Sequence, residues 1–264
     1  MIITLLTDYG REDEFVGVCH AVIRGIHPGA EIVDLTHGIP RHAVRQGAVV
    51  LRNALPYLPA GVHVGIVDPG VGSERRAVAV TCADGRTLVG PDNGLLSLAW
   101  QEGGGVVEAV DASRSPHRLE PVSATFHGRD VFAPVAAHLA TGEPLPEAGE
   151  PLDPADLVVI ELPTVRRDGS KLLAHAVGLD RFGNVALNAS RADLAELDPG
   201  ATVVVESRGE RFPGRFARTF ADVKPGELIL YEDANRSLAV ALNRGDAATT
   251  LDIGLGDEVR LSPR

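Results

Sequence analysis

Asp68 and Arg75 stand in a turn that could do chemistry. An apolar run, Val62 to Val67, ends at Asp68, bends through Pro69, Gly70 and Gly72, and presents Arg75 and Arg76 before apolar residues resume at Ala77. In open α/β sheets ligands bind just beyond the carboxyl ends of strands, so an acid there with cations close behind is a candidate site. Without chemistry, the same stretch is a turn with a surface Arg pair. Asp8 and Asp13 follow another short apolar run, Ile2 to Thr7, and His127, Arg129 and Asp130 sit in Thr125-Phe126-His127-Gly128-Arg129-Asp130. A His just ahead of a helix lies near unpaired backbone N–H groups, where developing negative charge is favoured. Together an acid, a guanidinium and an imidazole could activate water: Arg favours the anion, and a carboxylate or His accepts the proton. Asp8, His37, Asp68 and His127 could instead ligate a divalent metal, although their spacing matches no ligand motif. A third reading makes these residues caps of helices and turns. The stretch Gly90-Pro91-Asp92-Asn93-Gly94 reads first as a β-turn, which could still line a pocket.

The elements that must position these residues alternate. Ile2 to Thr7 reads as a strand, and Phe15, Val18, Cys19, Val22 and Ile26 recur at helical spacing until His27-Pro28-Gly29. Glu31 to Leu35 is a second strand; Val44, Ala48, Leu51 and Leu55 mark a second helix; Val62 to Val67 is a third strand. Such alternation implies parallel βαβ units with right-handed crossovers, which bring Asp8, Thr36 and Asp68 to one rim. Ala77 to Thr81 and Arg86 to Val89 flank a hairpin signal and predict an antiparallel edge. Val106 to Val110 reads as a strand, and Val131, Val135 and Leu139 as a helix. The Pro-rich stretch 142–155 reads as a linker. Beyond it come short β-prone runs: Leu157 to Leu162, Leu172 to Leu179, Val185 to Leu187, Val203 to Glu206, Leu228 to Tyr231, Leu238 to Leu242, Thr250 to Ile253 and Val259 to Leu261. The expected fold is therefore an N-terminal α/β domain with a mostly parallel central sheet, residues 1–150, and a C-terminal all-β barrel, residues 151–264.

Composition narrows the function classes. The 264 residues carry a net charge of −11 with the Arg residues dispersed among acids, so nucleic acid is not an expected partner. No apolar run approaches a membrane span and no basic signal-peptide start is present, so the expectation is a cytoplasmic protein without membrane association. Cys19 and Cys82 form no C-x-x-C and read as small core residues. Dinucleotide and P-loop glycine motifs, a G-x-S-x-G elbow and H-E-x-x-H are all missing.

Four ordered motifs carry a resemblance. Thr7-Asp8-Tyr9-Gly10 with Asp13 and Phe15-Val16-Gly17, Val67 to Ser73, Gly90 to Leu95 and Thr125 to Asp130 resemble the adenosine-forming S-adenosyl-L-methionine hydrolases, relatives of the fluorinase and chlorinase. Asp180-Arg181-Phe182-Gly183-Asn184 and Leu238 to Asn243 look like second-domain motifs of that family, so the resemblance covers nearly the whole chain. It implies an N-terminal α/β domain joined to a C-terminal barrel, and a homotrimer with active sites between neighbouring subunits. It further implies hydrolysis of S-adenosyl-L-methionine to adenosine and methionine by attack of activated water at C5′, with no cofactor and no metal. Asp68, Arg75 and His127 match the water-activating triad. Asp8, Asp13 and Phe126 in the first domain and Asp180, Phe182, Asn184, Phe216 and Asn243 in the second match substrate-binding positions. Family members often carry Gly-Tyr where this chain has Arg236-Ser237. The halogenating relatives lack the ionisable triad, so Asp68 and His127 argue for water as nucleophile. A S-adenosylmethionine or adenosine sensor, a halogenase, a metal-dependent hydrolase and a methyltransferase are the competing classes, separable by product analysis and chelation.

Overall fold

Two parallel crossovers frame the first part of the chain. In the computed structural model, which describes residues 1–194 and 197–264, β1 (Ile2–Thr7) leads through α1 (Phe15–Ile26) to β2 (Glu31–Thr36), then through α2 (Val44–Ala54) to β3 (Gly61–Ile66). β1 pairs in parallel with β2 on one side and with β3 on the other, so the direction of sheet growth reverses at β1. Right-handed crossovers then place α1 and α2 on opposite faces. The packing agrees: Cys19 and Ile23 of α1 share one apolar cluster with α4 (Ala133–Ala140), while Leu51 of α2 shares another with Ala99 and Trp100 of α3 (Ser97–Glu102). Every residue of β3 is buried, as a strand covered on both faces requires.

The sheet continues through β4 (Ala77–Cys82), β5 (Thr87–Pro91), β6 (Val106–Asp111) and β7 (Glu150–Pro151) in the order β2-β1-β3-β5-β4-β6-β7. β5 is parallel to β3, whereas β4 runs antiparallel to β5 and β6, which is the expected hairpin. The stretch 142–155 is no linker. Leu145 and Ala148 are buried, β7 pairs with β6, and Leu152 donates its N–H to Ala109 O at 2.9 Å. Nor is Leu157 to Leu162 a strand: Leu157 is buried, and the N–H groups of Val158 and Ile160 donate to the side chains of Asp92 and Ser97. The chain accordingly divides into Met1–Ile160 and Glu161–Arg264, later than the expected 150/151 boundary.

The second unit is a closed seven-strand barrel. Its strands are β9 (Lys171–Leu179), β10 (Val185–Ser190), β11 (Thr202–Ser207), β12 (Glu210–Phe216), β13 (Leu228–Glu232), β14 (Ser237–Leu242) and β15 (Glu258–Pro263), after a short β8 (Arg166–Asp168). They follow the order β10-β14-β13-β12-β11-β15-β9, and β9 closes the barrel on β10. Alternate residues point inward, as along β10, where Val185, Leu187 and Ala189 are buried. Thr250 to Ile253 departs from expectation: α5 (Ala247–Thr250) forms there because Asp246 caps it, accepting from Thr249 N–H. Arg236 takes φ 64° in the turn between β13 and β14, where glycine is the usual residue. Both cysteines are buried and unpaired, with burial pushing each thiol up to about 12. Among the described residues no helix is long and apolar enough to cross a membrane.

Candidate active site

The reversal at β1 makes the carboxyl ends of β1 and β3 a topological switch point, the position at which open α/β sheets hold ligands. Asp8 leaves β1 there, with its N–H bonded to Ile66 O at 3.3 Å, and Asp68 lies just past the end of β3. Arg75 reaches back over its own turn to Asp68: Nε donates to Oδ1 and Oδ2 at 2.9 and 3.1 Å, and Nη2 donates to Oδ2. Nη2 also meets His127 Nδ1 at 2.8 Å, so one guanidinium nitrogen joins the acid to the imidazole. The side chains of Asp68 and Arg75 are 7% and 10% exposed, which keeps this pair out of bulk solvent.

The hydrogen bonding assigns a tautomer. A guanidinium only donates, so His127 Nδ1 must accept and the ring proton sits on Nε2. Burial and the facing Arg75 both lower the His127 pKa, with Asp68 and Asp130 opposing, so the ring stays neutral below the ordinary histidine range. Nε2–H is then a donor, and the imidazole has no free lone pair to take a proton. A carboxylate offers about four acceptor sites, of which Arg75 occupies all but one on Asp68. The remaining site, on Oδ1, is the one acceptor position that Arg75 leaves on Asp68.

Local sequence explains the convergence. Gly72, at φ 77°, lets its turn press on the loop before His127: a Cβ there would lie 2.3 Å from Ala124 O. Asn93 pins the end of β3, its Nδ2 donating to Val67 O at 2.8 Å. The Phe132 ring lies under the Arg75 guanidinium, 5.3 Å from its centroid to Cζ. His127 itself opens a wide helical turn, Gly128–Phe132, that continues into α4. Gly128 is required because the Tyr9 hydroxyl packs onto it, 2.2 Å from where a Cβ would stand. Asp130, buried in that turn, accepts from Arg129 Nε at 2.6 Å and from Ser123 N–H at 2.8 Å, tying down the preceding loop. Phe126 packs edge-on against Tyr9 and Phe15, at centroid distances of 5.8 and 5.0 Å, and under Arg129.

Comparison with known proteins decides the family. Residues 3–149 match the SAM hydroxide adenosyltransferase N-terminal domain and residues 174–260 the C-terminal domain of the same family. The chain belongs to the SAM hydroxide adenosyltransferase family. It is 46% identical to the (R)-S-adenosyl-L-methionine hydrolase of Salinispora tropica, over 98% of this chain and 97% of that one. The crystal structure of an uncharacterized conserved protein from Thermotoga maritima superposes with a TM-score of 0.90 at 36% identity, covering 99% of this chain and all of the other. A fluorinase from an Actinoplanes species is more distant, 28% identical over 97% of this chain and 95% of its own.

The other residues expected from family membership fall into separate groups. In the first unit Asp8 accepts from His42 N–H at 3.0 Å through Oδ2, leaving Oδ1 open, and Asp13 is exposed in the turn before α1. In the second unit Asp180, Phe182, Asn184 and Asn243 line one cavity of about 710 Å³ together with Phe220 and Arg244. Asp180 organises its own turn there: Oδ1 accepts the N–H groups of Phe182 and Asn184, and Oδ2 accepts Asn184 Nδ2 at 2.7 Å. That turn holds Phe182 out, 71% exposed. Asn243 Nδ2 donates to the carbonyls of Phe220 and Val223, so only its carbonyl oxygen remains for a ligand. Phe216 does not join them: it is buried in the barrel core with Arg191 over its ring. Phe220, its ring tilted 59° against Tyr231, lines the cavity unannounced by any motif. Arg76 is no idle surface residue, since its Nε and Nη2 bind Asp92 Oδ2 at 2.9 and 2.7 Å while Asp92 Oδ1 accepts Val158 N–H. The metal set Asp8, His37, Asp68 and His127 is not assembled: His37 faces Thr7 and Asp34 instead.

Proposed function

We propose that this chain hydrolyses S-adenosyl-L-methionine to adenosine and L-methionine, water attacking C5′ of the ribose. The observation that carries the reading is the single Arg75 nitrogen bonded to both Asp68 and His127 beyond the carboxyl end of β3. Family membership and the S-adenosyl-L-methionine hydrolase relatives support the substrate. Arg75 supplies positive potential for a water or hydroxide oxygen, His127 Nε2–H donates to that oxygen and orients it, and Asp68 Oδ1 takes the proton. Methionine leaves as a neutral thioether, so the nucleophile's negative charge and the sulfonium's positive charge cancel in the transition state. Such a step is favoured by fixed dipoles and excluded bulk water, which a nearly buried ion pair provides. No cofactor enters this scheme. Asp8 is assigned to the ribose hydroxyls by the family resemblance, as are Asp13 and Phe126 to the substrate. Asp180, Phe182, Asn184 and Asn243 are assigned to the adenine and methionine portions. Family resemblance also supports a homotrimer with active sites between neighbouring subunits, to be tested by light scattering at three times the 27.8 kDa chain mass.

The test is product analysis in ¹⁸O-labelled water. Label in the 5′-hydroxyl of adenosine is the expected result, and unlabelled adenosine, S-adenosylhomocysteine or a 5′-halogenated nucleoside would each refute the reaction. Asp68→Ala and His127→Ala should each lower adenosine formation on the order of 10²-fold or more while substrate binding persists. Unchanged turnover in both variants would remove the triad from the mechanism.

A further inference from the structure

On the face of the first unit that carries α1, three side chains outside the proposed mechanism converge. His20 projects from α1, Asp34 from β2, and His37 follows β2 directly. His20 Nε2 lies 2.8 Å and His37 Nε2 3.0 Å from the same Asp34 oxygen, Oδ1, and all three donor atoms lie within 4.8 Å of one another. The His37 side chain is only 1% exposed, and its Nε2 makes no aligned hydrogen bond despite that distance. A buried imidazole nitrogen without an aligned partner is costly unless something else satisfies it. Its other nitrogen is already held: Nδ1 meets Thr7 Oγ1 at 2.9 Å, the kind of outer contact that fixes a metal-binding imidazole's orientation.

We infer that His20, Asp34 and His37 form a binding site for a divalent first-row transition ion, through His20 Nε2, Asp34 Oδ1 and His37 Nε2. Two donors separated by 2.8–3.0 Å and each about 2.1 Å from an ion subtend roughly 90° at it. Right angles suit octahedral ions better than tetrahedral zinc, and two imidazoles with one carboxylate suit Ni²⁺ or Co²⁺ better than Mg²⁺ or Ca²⁺. Water would complete the shell on the open side, where His20 and Asp34 are 29% and 23% exposed. Arg11 Nη2, 3.9 Å from Asp34 Oδ2, addresses the other carboxylate oxygen and leaves Oδ1 for the ion. In the metal-free protein His20 Nε2–H donates to Oδ1, so an ion bound at Nε2 selects the other neutral tautomer, with the ring proton on Nδ1.

The cluster of His117, His138 and Glu143 provides the contrast. Its donor atoms also lie within 4.8 Å of one another, but its imidazoles stack 4.0 Å apart at 12°, none of its side chains is buried, and Glu143 faces each ring with a separate oxygen, so no single carboxylate oxygen is shared. It is the control site.

The experiment is calorimetric titration of tag-free, chelator-treated protein with Ni²⁺ and then Co²⁺. One saturable equivalent per chain is expected in the wild type and in His138→Ala, with affinity at least about 10-fold weaker in His20→Ala and in Asp34→Asn. His20 is chosen because it sits on the helix surface, and an unchanged metal-free melting temperature shows that the variant folds. Absence of saturable uptake by the wild type at concentrations up to about 1 mM would overturn the site. So would His20→Ala binding either ion as the wild type does.

Discussion

Replacing Arg75 with lysine keeps the positive charge and removes the fork, so it isolates what the planar guanidinium does. In the structure Nε and Nη2 both bind Asp68, and Nη2 also meets His127 Nδ1 at 2.8 Å. An ammonium can keep the ion pair with Asp68, but from that position it cannot also supply the second parallel bond and the bond to His127. Each hydrogen bond from a charged donor contributes about 1.5–3 kcal/mol, so losing two, with partial replacement by water, removes roughly 3 kcal/mol of organisation. If that organisation acts in the transition state, kcat falls about 10²-fold. KM should change less than about threefold, because no residue assigned to substrate is touched. The assay is steady-state adenosine release, read by chromatography at saturating S-adenosyl-L-methionine. Arg75→Lys, His127→Ala and the double variant complete a cycle. Because lysine already leaves His127 unheld, removing the imidazole should cost far less in the lysine background than in the arginine one, a coupling of about 1–3 kcal/mol. Arg75→Lys within about threefold of wild-type kcat, or a His127→Ala penalty equal in both backgrounds, would refute the bridging role.

Three further outcomes follow from the same geometry. Catalysis needs neutral His127, whose pKa burial and Arg75 hold below its ordinary value, so the acid limb of kcat should lie below pH 6.5, the usual histidine midpoint; a limb centred at or above that pH contradicts the assignment. The sign is fixed because protonation puts an imidazolium against a guanidinium: acid breaks the bond to Arg75, and higher pH restores it. Gly128→Ala should displace the His127 turn and lower kcat at least about 10-fold by overpacking against the Tyr9 hydroxyl, and Tyr9→Phe should restore part of it because the nearest remaining ring atom is 3.1 Å from the added methyl. Arg76→Ala leaves the Asp92 carboxylate, 2% exposed, without its cation, and should destabilise the protein by about 3 kcal/mol, read as a lower denaturation midpoint, with Asp92→Asn in the same background recovering part of the loss.

Much of the frame was legible in the sequence because its signals are local. Phe15, Val18, Cys19, Val22 and Ile26 carry the period of α1, and strands alternating with helices imply the crossovers that bring Asp8 and Asp68 to one rim. What escaped depends on partners distant in the chain. Leu157 to Leu162 reads as a strand by apolar content, yet Val158 and Ile160 give their N–H groups to Asp92 and Ser97, side chains no periodicity points to. α3 hides inside the apolar run Leu95 to Trp100, where burial on all sides erases the helical stripe. β12 carries Pro213 and Gly214, residues that argue against a strand until β11 and β13 are seen to pair on either side. Arg76 was read as surface because its partner lies beyond the next hairpin.

At the site itself the types of residue were legible and their division of labour was not. Sequence placed Asp8, Thr36 and Asp68 on one rim and left acid–base, metal and capping readings open, and only the family resemblance singled out Asp68, Arg75 and His127. The three-dimensional arrangement separates roles that a motif leaves equivalent. Because Arg75 donates to His127, the imidazole is left with Nε2–H as a donor; because Arg75 leaves one acceptor site on Asp68, the proposed mechanism gives the carboxylate the role of base. His37 shows the converse. It entered the reasoning as a possible ligand alongside the triad, and the fold turns it toward Asp34 and His20 instead, through a bond to Thr7, the residue just before Asp8. Two clusters thus share the end of β1, one built around a guanidinium shared by a carboxylate and an imidazole, the other around a buried imidazole nitrogen that the proposed metal ion would complete.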